Sequence, residues 1–192
     1  MSKQQSDHGD VTRLGFWLYI LSDVMIFAVL FAVYFVLRHN TAGGPTIGEI
    51  VDPPYVLLQT LLLLTSSFVC AMAIVAAKYG KFSQVRLYLG MTLLLGASFL
   101  ALELLEFWKL YQAGESWQVS AFLSSFFVLL ATHGLHITIG LIWLTTLMAT
   151  MKSKPTASWH RRLGLFGVFW HFLDVVWIGI FALVYMFGAG GI

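Results

Sequence analysis

Seven ionisable residues lie inside long apolar segments of this sequence. They are Asp23, Glu103, Glu106, His133, His136, His171 and Asp174. Six of them form pairs three positions apart, in the segments ELLE, HGLH and HFLD, so the two members of each pair share one face of a helix. An ionised side chain at the centre of a membrane helix costs about 2.5–3.5 kcal/mol. We therefore expect these faces to meet other protein or water rather than lipid.

Three kinds of chemistry fit these pairs. Two histidines three apart can share a metal ion, and carboxylates can complete a two-iron site, although the Glu-x-x-His pattern of di-iron bundles is absent from the sequence. His133 or His136 could instead hold a haem together with His171. A relay for protons or ions through Asp23, His171 and Asp174 is the second interpretation. The third is structural, with hydrogen bonds that fix the packing of the helices.

The elements that position these residues are membrane-spanning helices. Apolar residues make up 59% of the chain and charged residues 10%, whereas soluble domains carry about 25% charged residues. The apolar runs are each long enough to cross a bilayer and lack a two-residue alternation, so we expect an all-α bundle. The five predicted spans are residues 14–37, 55–77, 85–111, 120–151 and 163–188. All four prolines lie between these runs, where helix breakers are expected.

The distribution of lysine and arginine predicts the orientation of the bundle. Nine of these residues lie in the first tail or in and directly beside the second and fourth loops, against two at the opposite ends of the spans. The positive-inside rule then places the N-terminus in the cytoplasm and the C-terminus in the periplasm. We expect a cytoplasmic tail over residues 1–13, a single membrane domain over 14–188 and a short tail over 189–192. The basic residues are dispersed, which argues against a nucleic-acid partner.

Depth along the spans suggests which polar residues meet. Asp23, His171 and Asp174 lie at similar distances from the cytoplasmic ends of their spans, which predicts one hydrogen-bonded group. Glu103 and Glu106 lie near the outer end of the third span and the HGLH pair near the middle of the fourth, so a carboxylate–histidine contact is a further expectation. The single cysteine, Cys70, is interpreted as a small buried apolar residue.

Several segments resemble subunit III of the haem–copper oxidases. THGLHITIGL and FWHFLDVVWI are similar to signature segments of that family, and SDVMIFAVLFAVYF resembles its segment around an intramembrane carboxylate. Asp23 stands there where the cytochrome c oxidase members usually have glutamate. The segments HNTAGGPT, LLGASF and LEF, with five spans, are most similar to the cytochrome bo-type ubiquinol oxidase branch. Five-span third subunits of bacterial cytochrome c oxidases are the alternative.

The resemblance implies a non-catalytic subunit of a proton-pumping respiratory oxidase that reduces oxygen to water. It implies no catalytic, cofactor-binding or metal-binding residue in this chain, since haem and copper belong to subunit I. The expected partners are subunits I, II and IV and membrane lipids, including bound phospholipid, with ubiquinol as the substrate of the complex in the bacterial inner membrane. A role in assembly, stability, lipid binding and proton uptake follows. An independent metal- or haem-binding membrane enzyme and a proton transporter are the alternatives from other classes.

Overall fold

The computed structural model describes residues 2–43, 52–114, 119–151 and 155–186, with side chains from residue 11 to residue 185 of these ranges. The described residues form five long helices and a closing π-helical turn, with no β-strand among them. These elements are α1 (Ser2–Leu37), α2 (Pro53–Lys78), α3 (Phe82–Gln112), α4 (Ala121–Ala149), α5 (Ala157–Ile180) and the π-turn (Phe181–Met186). Each helix contains a segment long and apolar enough to cross a membrane. The predicted all-helical fold with five spans is confirmed.

Helices α2, α4 and α5 form the centre of the bundle. Half of the most apolar segment of each is buried, against 22% for α1 and 28% for α3. Helix α2 packs on α3 and α5, while α4 contacts α1, α3 and α5. Helix α1 therefore lies at an edge and presents apolar side chains such as Leu18, Leu21 and Met25 outward. Outward apolar side chains are expected of a helix that contacts lipid or another subunit.

The helix boundaries differ from the predicted spans because hydropathy, rather than helix formation, set those predictions. Helix α1 begins at Ser2 instead of residue 14, so residues 2–13 of the predicted tail are helical. Helix α5 begins at Ala157 instead of residue 163, because its first turns carry the polar Arg161 and Arg162. The described helical structure ends at residue 186, and the predicted end at 188 lies outside the described residues.

The placement of the prolines was partly wrong. Pro53 and Pro54 form the first turn of α2, where the missing N–H of proline would have no intrahelical acceptor in any case. Pro155 precedes α5, as predicted, and Pro45 lies outside the described residues. Hydroxyl caps begin the last two helices. Ser120 accepts a hydrogen bond from the backbone of Leu123, and Thr156 accepts one from Trp159.

Glycines make room for large aromatic rings in the core. A Cβ atom at Gly140 of α4 would lie 2.7 Å from Cζ3 of Trp170, and one at Gly96 of α3 would lie 2.9 Å from the same ring. Small residues allow membrane helices to approach closely. The indole of Trp170 is thus enclosed by two neighbouring helices, which sets the register of α5 against α3 and α4.

Candidate functional site

The first buried polar contact joins α1 to α4. Asp23 is 3% exposed, and its Oδ2 lies 3.5 Å from Nε2 of His136. Nδ1 of the same ring is 2.7 Å from the carbonyl oxygen of Thr132. Because a carbonyl only accepts, Nδ1 carries a proton, and a second proton on Nε2 would turn the contact with Asp23 into an ion pair. Tyr19, one turn before Asp23, also interacts with the carboxylate.

The second set of contacts is a ladder of three side-chain hydrogen bonds between α2 and α5. Its members are Ser67 Oγ to His171 Nδ1 at 2.6 Å, Trp170 Nε1 to Ser66 Oγ at 3.1 Å, and Trp177 Nε1 to Thr60 Oγ1 at 3.0 Å. Asp174 lies beside this ladder and interacts with Ser67 and His171. Hydrogen bonds between neighbouring helices orient them in a medium that offers no water. The ladder therefore fixes the axial position of α5.

The predicted group of Asp23, His171 and Asp174 is divided between two helix interfaces. Asp23 contacts His136 on α4, while His171 bonds Ser67 on α2. The physical reason is that α1 packs mainly on α4 and touches α5 less extensively. The similar depth predicted for Asp23 and His171 is therefore not accompanied by a direct contact with the same partner.

The third polar region surrounds the two glutamates of α3. Glu106 accepts a hydrogen bond from Nε2 of Gln59 at 3.2 Å. Glu103 is 1% exposed and lies against α4 at Gly134, where a Cβ atom would be 2.7 Å from its Oε2. His133, the preceding residue, is fully buried, and its ring centroid lies 5.3 Å from that of Trp177. Glu103 and the HGLH segment are therefore neighbours, as expected, but no hydrogen bond joins the carboxyl group of Glu103 to His133.

Sequence reasoning missed the partners on α2, which are Gln59, Thr60, Ser66 and Ser67. Serine and threonine in membrane helices commonly bond their own helix, as Thr60 does with the carbonyl of Val56. A usable signal was nonetheless present. Thr60 and Ser67 are seven positions apart, as are Trp170 and Trp177, and residues seven apart lie on one helix face.

Several polar side chains of the core make contacts between neighbouring helices. Among the described residues, no three histidine, cysteine, aspartate or glutamate side chains approach closely enough to hold one metal ion. Asp23 contacts His136 and Ser67 bonds His171, each on a neighbouring helix. The chemistry that this arrangement supports is hydrogen bonding between helices.

Replacing Ser67 with alanine tests the ladder. We expect a loss of about 1–3 kcal/mol in the free energy of unfolding, because Nδ1 of His171 loses its partner in a largely buried interface. The control is Ser98→Ala, since Ser98 is exposed and bonds only the carbonyl of Leu94 within its own helix. The measurement is the thermal unfolding midpoint of the purified complex. Equal midpoints for the two variants would contradict the role of the ladder.

The amino-acid sequence is similar to those of one protein family. The family model described as cytochrome c oxidase subunit III matches residues 5–189. Cytochrome bo(3) ubiquinol oxidase subunit 3 of Pseudomonas aeruginosa is 46% identical over 184 residues, covering 95% of this chain and 88% of that protein. Quinol oxidase subunit 3 of Bacillus subtilis is 41% identical over 98% of this chain and 93% of its own length. Cytochrome c oxidase subunit 3 of Bacillus sp. (strain PS3) is 41% identical over 93% and 86%, respectively.

Proposed function

Because the chain belongs to the cytochrome c oxidase subunit III family, the third subunits of the haem–copper oxidases, we propose that it is subunit III of a cytochrome bo-type ubiquinol oxidase. Membership of this family makes the chain a multi-pass membrane component of an oxidase complex. The observation that carries the choice of branch is the 46% identity to a bo(3) ubiquinol oxidase subunit over 95% of the chain. The relative from Bacillus subtilis, named a quinol oxidase subunit, supports the same branch.

In this proposal the complex oxidises ubiquinol, reduces oxygen to water and pumps protons across the bacterial inner membrane. Haem and copper reside in subunit I, and this chain carries no redox centre of its own. It forms one membrane domain that docks on subunits I, II and IV and on membrane lipids. The polar side chains of its core hold the five helices in register, which supports the assembly and stability of the complex and sustained proton uptake.

The contacts of the intramembrane ionisable residues support their proposed role in helix packing. The Asp23–His136 contact joins α1 to α4, and the Ser67–His171 bond joins α2 to α5. The Gln59–Glu106 bond joins α2 to α3. Each contact crosses a different helix interface, and every one of the five helices takes part in at least one of them. A set of side chains poised for a shared chemical step would converge on one point instead.

The electron donor separates this proposal from its nearest competitor, subunit III of a five-span cytochrome c oxidase. The relative named cytochrome c oxidase subunit 3, at 41% identity, favours that alternative. The test is oxygen consumption by the purified complex with ubiquinol or with reduced cytochrome c as the donor. We expect turnover with ubiquinol. Turnover with cytochrome c alone would establish the competitor.

Orientation is the second proposed property, with the N-terminus in the cytoplasm and the C-terminus outside. Tyr79, between α2 and α3, and Ala113, after α3, are exposed on opposite sides of the bundle. The native Cys70 is buried and should label poorly. With a membrane-impermeant maleimide on spheroplasts, we expect Ala113→Cys to react at once and Tyr79→Cys only after the membrane is opened. The reverse pattern would overturn the proposed orientation.

A further inference from the structure

Glu103 is buried without a hydrogen-bond partner among the described residues. Its side chain is 1% exposed, and neither carboxyl oxygen has a donor within hydrogen-bonding distance. The carboxyl group lies against the backbone of α4 at Gly134, where any side chain would collide with it. Glu103 is thus held in the core by packing, although its polar atoms are not satisfied by the protein residues around it.

Three neighbouring elements also contribute buried polar atoms that lack a hydrogen-bond partner among the described residues. The hydroxyl of Tyr185, Oε1 of Gln59 and both ring nitrogens of His133 are buried and unpartnered within the described structure. Tyr185, from the π-turn, lies within electrostatic reach of Glu103 and Glu106. The rings of Tyr185 and His133 both pack on Trp177, with centroid distances of 6.4 Å and 5.3 Å. We call Gln59, Glu103, His133 and Tyr185 the Glu103 cluster.

The donors and acceptors of the Glu103 cluster are complementary. The hydroxyl of Tyr185 and one imidazole nitrogen of His133 donate, while the carboxyl of Glu103 and Oε1 of Gln59 accept. A metal site would need acceptors only, so this mixed set fits a ligand that both donates and accepts. Buried polar groups in proteins are nearly always hydrogen-bonded, to protein or to ordered water. A buried water makes about three such bonds.

We propose that the Glu103 cluster is an internal water site, in which bound water joins Glu103 to Tyr185 and to the polar atoms of Gln59 and His133. The π-turn contributes to this site because its extra residue per turn changes the direction in which the side chains after Ile180 point. Tyr185 is thereby buried at 4% exposure beside the glutamates. Through its hydrogen bonds the water site links the end of α5 to α2, α3 and α4. The inference holds whichever electron donor the complex uses.

The direct test is a cryo-EM map of the intact complex at a resolution that shows ordered water. We expect density for at least one water within hydrogen-bonding distance of the Glu103 carboxyl and of a second member of the cluster. Glu103→Leu should remove this density, whereas Glu103→Gln, which keeps a polar side chain of the same length, should retain it. Wild-type density that shows a dry core, or a direct bond from Glu103 to protein, would overturn the proposal.

A double-mutant comparison tests the shared water in solution. The variants are Glu103→Leu, Tyr185→Phe and the two combined, and the measurement is the thermal midpoint of the complex. If one water network joins the two residues, the combined variant loses less than the sum of the two single losses. Additive losses would show that the residues are independent. Should a variant fail to assemble, the wild-type map still decides the question.

Discussion

Replacing Gly140 with leucine is expected to prevent stable association of α4 with α5. A Cβ atom at this position would lie 2.7 Å from Cζ3 of Trp170 and 3.1 Å from Cε1 of Phe169. The indole has little room to move away, because it also packs on Gly96 of α3, where a Cβ atom would lie only 2.9 Å from Cη2 and Cζ2 of the same ring. Overpacking of a well-filled core typically costs 1–3 kcal/mol. A leucine adds four carbons to a space that does not admit one, so we expect a loss at or above the upper end of that range.

The measurement for Gly140→Leu is the amount of subunit retained in the purified complex and the thermal midpoint of what remains. Gly164→Leu is the matched control, since Gly164 lies on α5 and a Cβ atom there would meet nothing within 4 Å. We expect the control to assemble normally. Equal retention and equal midpoints for the two variants would contradict the close approach of α4 and α5 around Trp170.

Replacing Trp177 with alanine is the second large effect that the structure predicts. The ring is fully buried, packs edge-on against Phe99 at 4.7 Å between centroids, and donates to Thr60 at 3.0 Å. Truncation of a buried tryptophan to alanine costs about 3–5 kcal/mol. It would also remove the surface on which His133 and Tyr185 pack. We therefore expect a loss of about this size in the free energy of unfolding.

Trp108→Ala is the control for Trp177→Ala. Trp108 is 59% exposed on α3, so its removal leaves the centre of the bundle intact. The two variants are compared by the thermal midpoint of the complex in one detergent. A midpoint for Trp177→Ala as high as that for Trp108→Ala would mean that the aromatic centre of the bundle contributes little to stability.

The sequence predicted the number and type of the elements because about 20 apolar residues are required to cross a bilayer and the chain contains five such runs. It also predicted that the three i, i+3 pairs share helix faces. It could not predict which faces meet, since periodicity describes one helix at a time. Asp23 and His171 were predicted to lie at similar depth, yet Asp23 contacts His136, because α1 packs mainly on α4.

The end of α5 shows a second reason why sequence reasoning fell short. The segment from Phe181 to Met186 is apolar and continues the helical pattern, so nothing in its residues predicts π geometry. In the structure this turn accompanies the burial of Tyr185 beside the glutamates of α3. Tyr185 was therefore absent from the predicted polar residues, although it belongs to the Glu103 cluster.

The most direct test of the central claim, that this chain is the third subunit of a quinol oxidase, is purification of the tagged chain in mild detergent. Its optical spectrum is recorded, and the copurifying proteins are identified. We expect a haem–copper oxidase spectrum that arises from larger partner subunits, none of which has a copper-binding domain for cytochrome c. A chain that emerges alone, with stoichiometric iron or copper of its own, would contradict the claim and make its histidine pairs the active site.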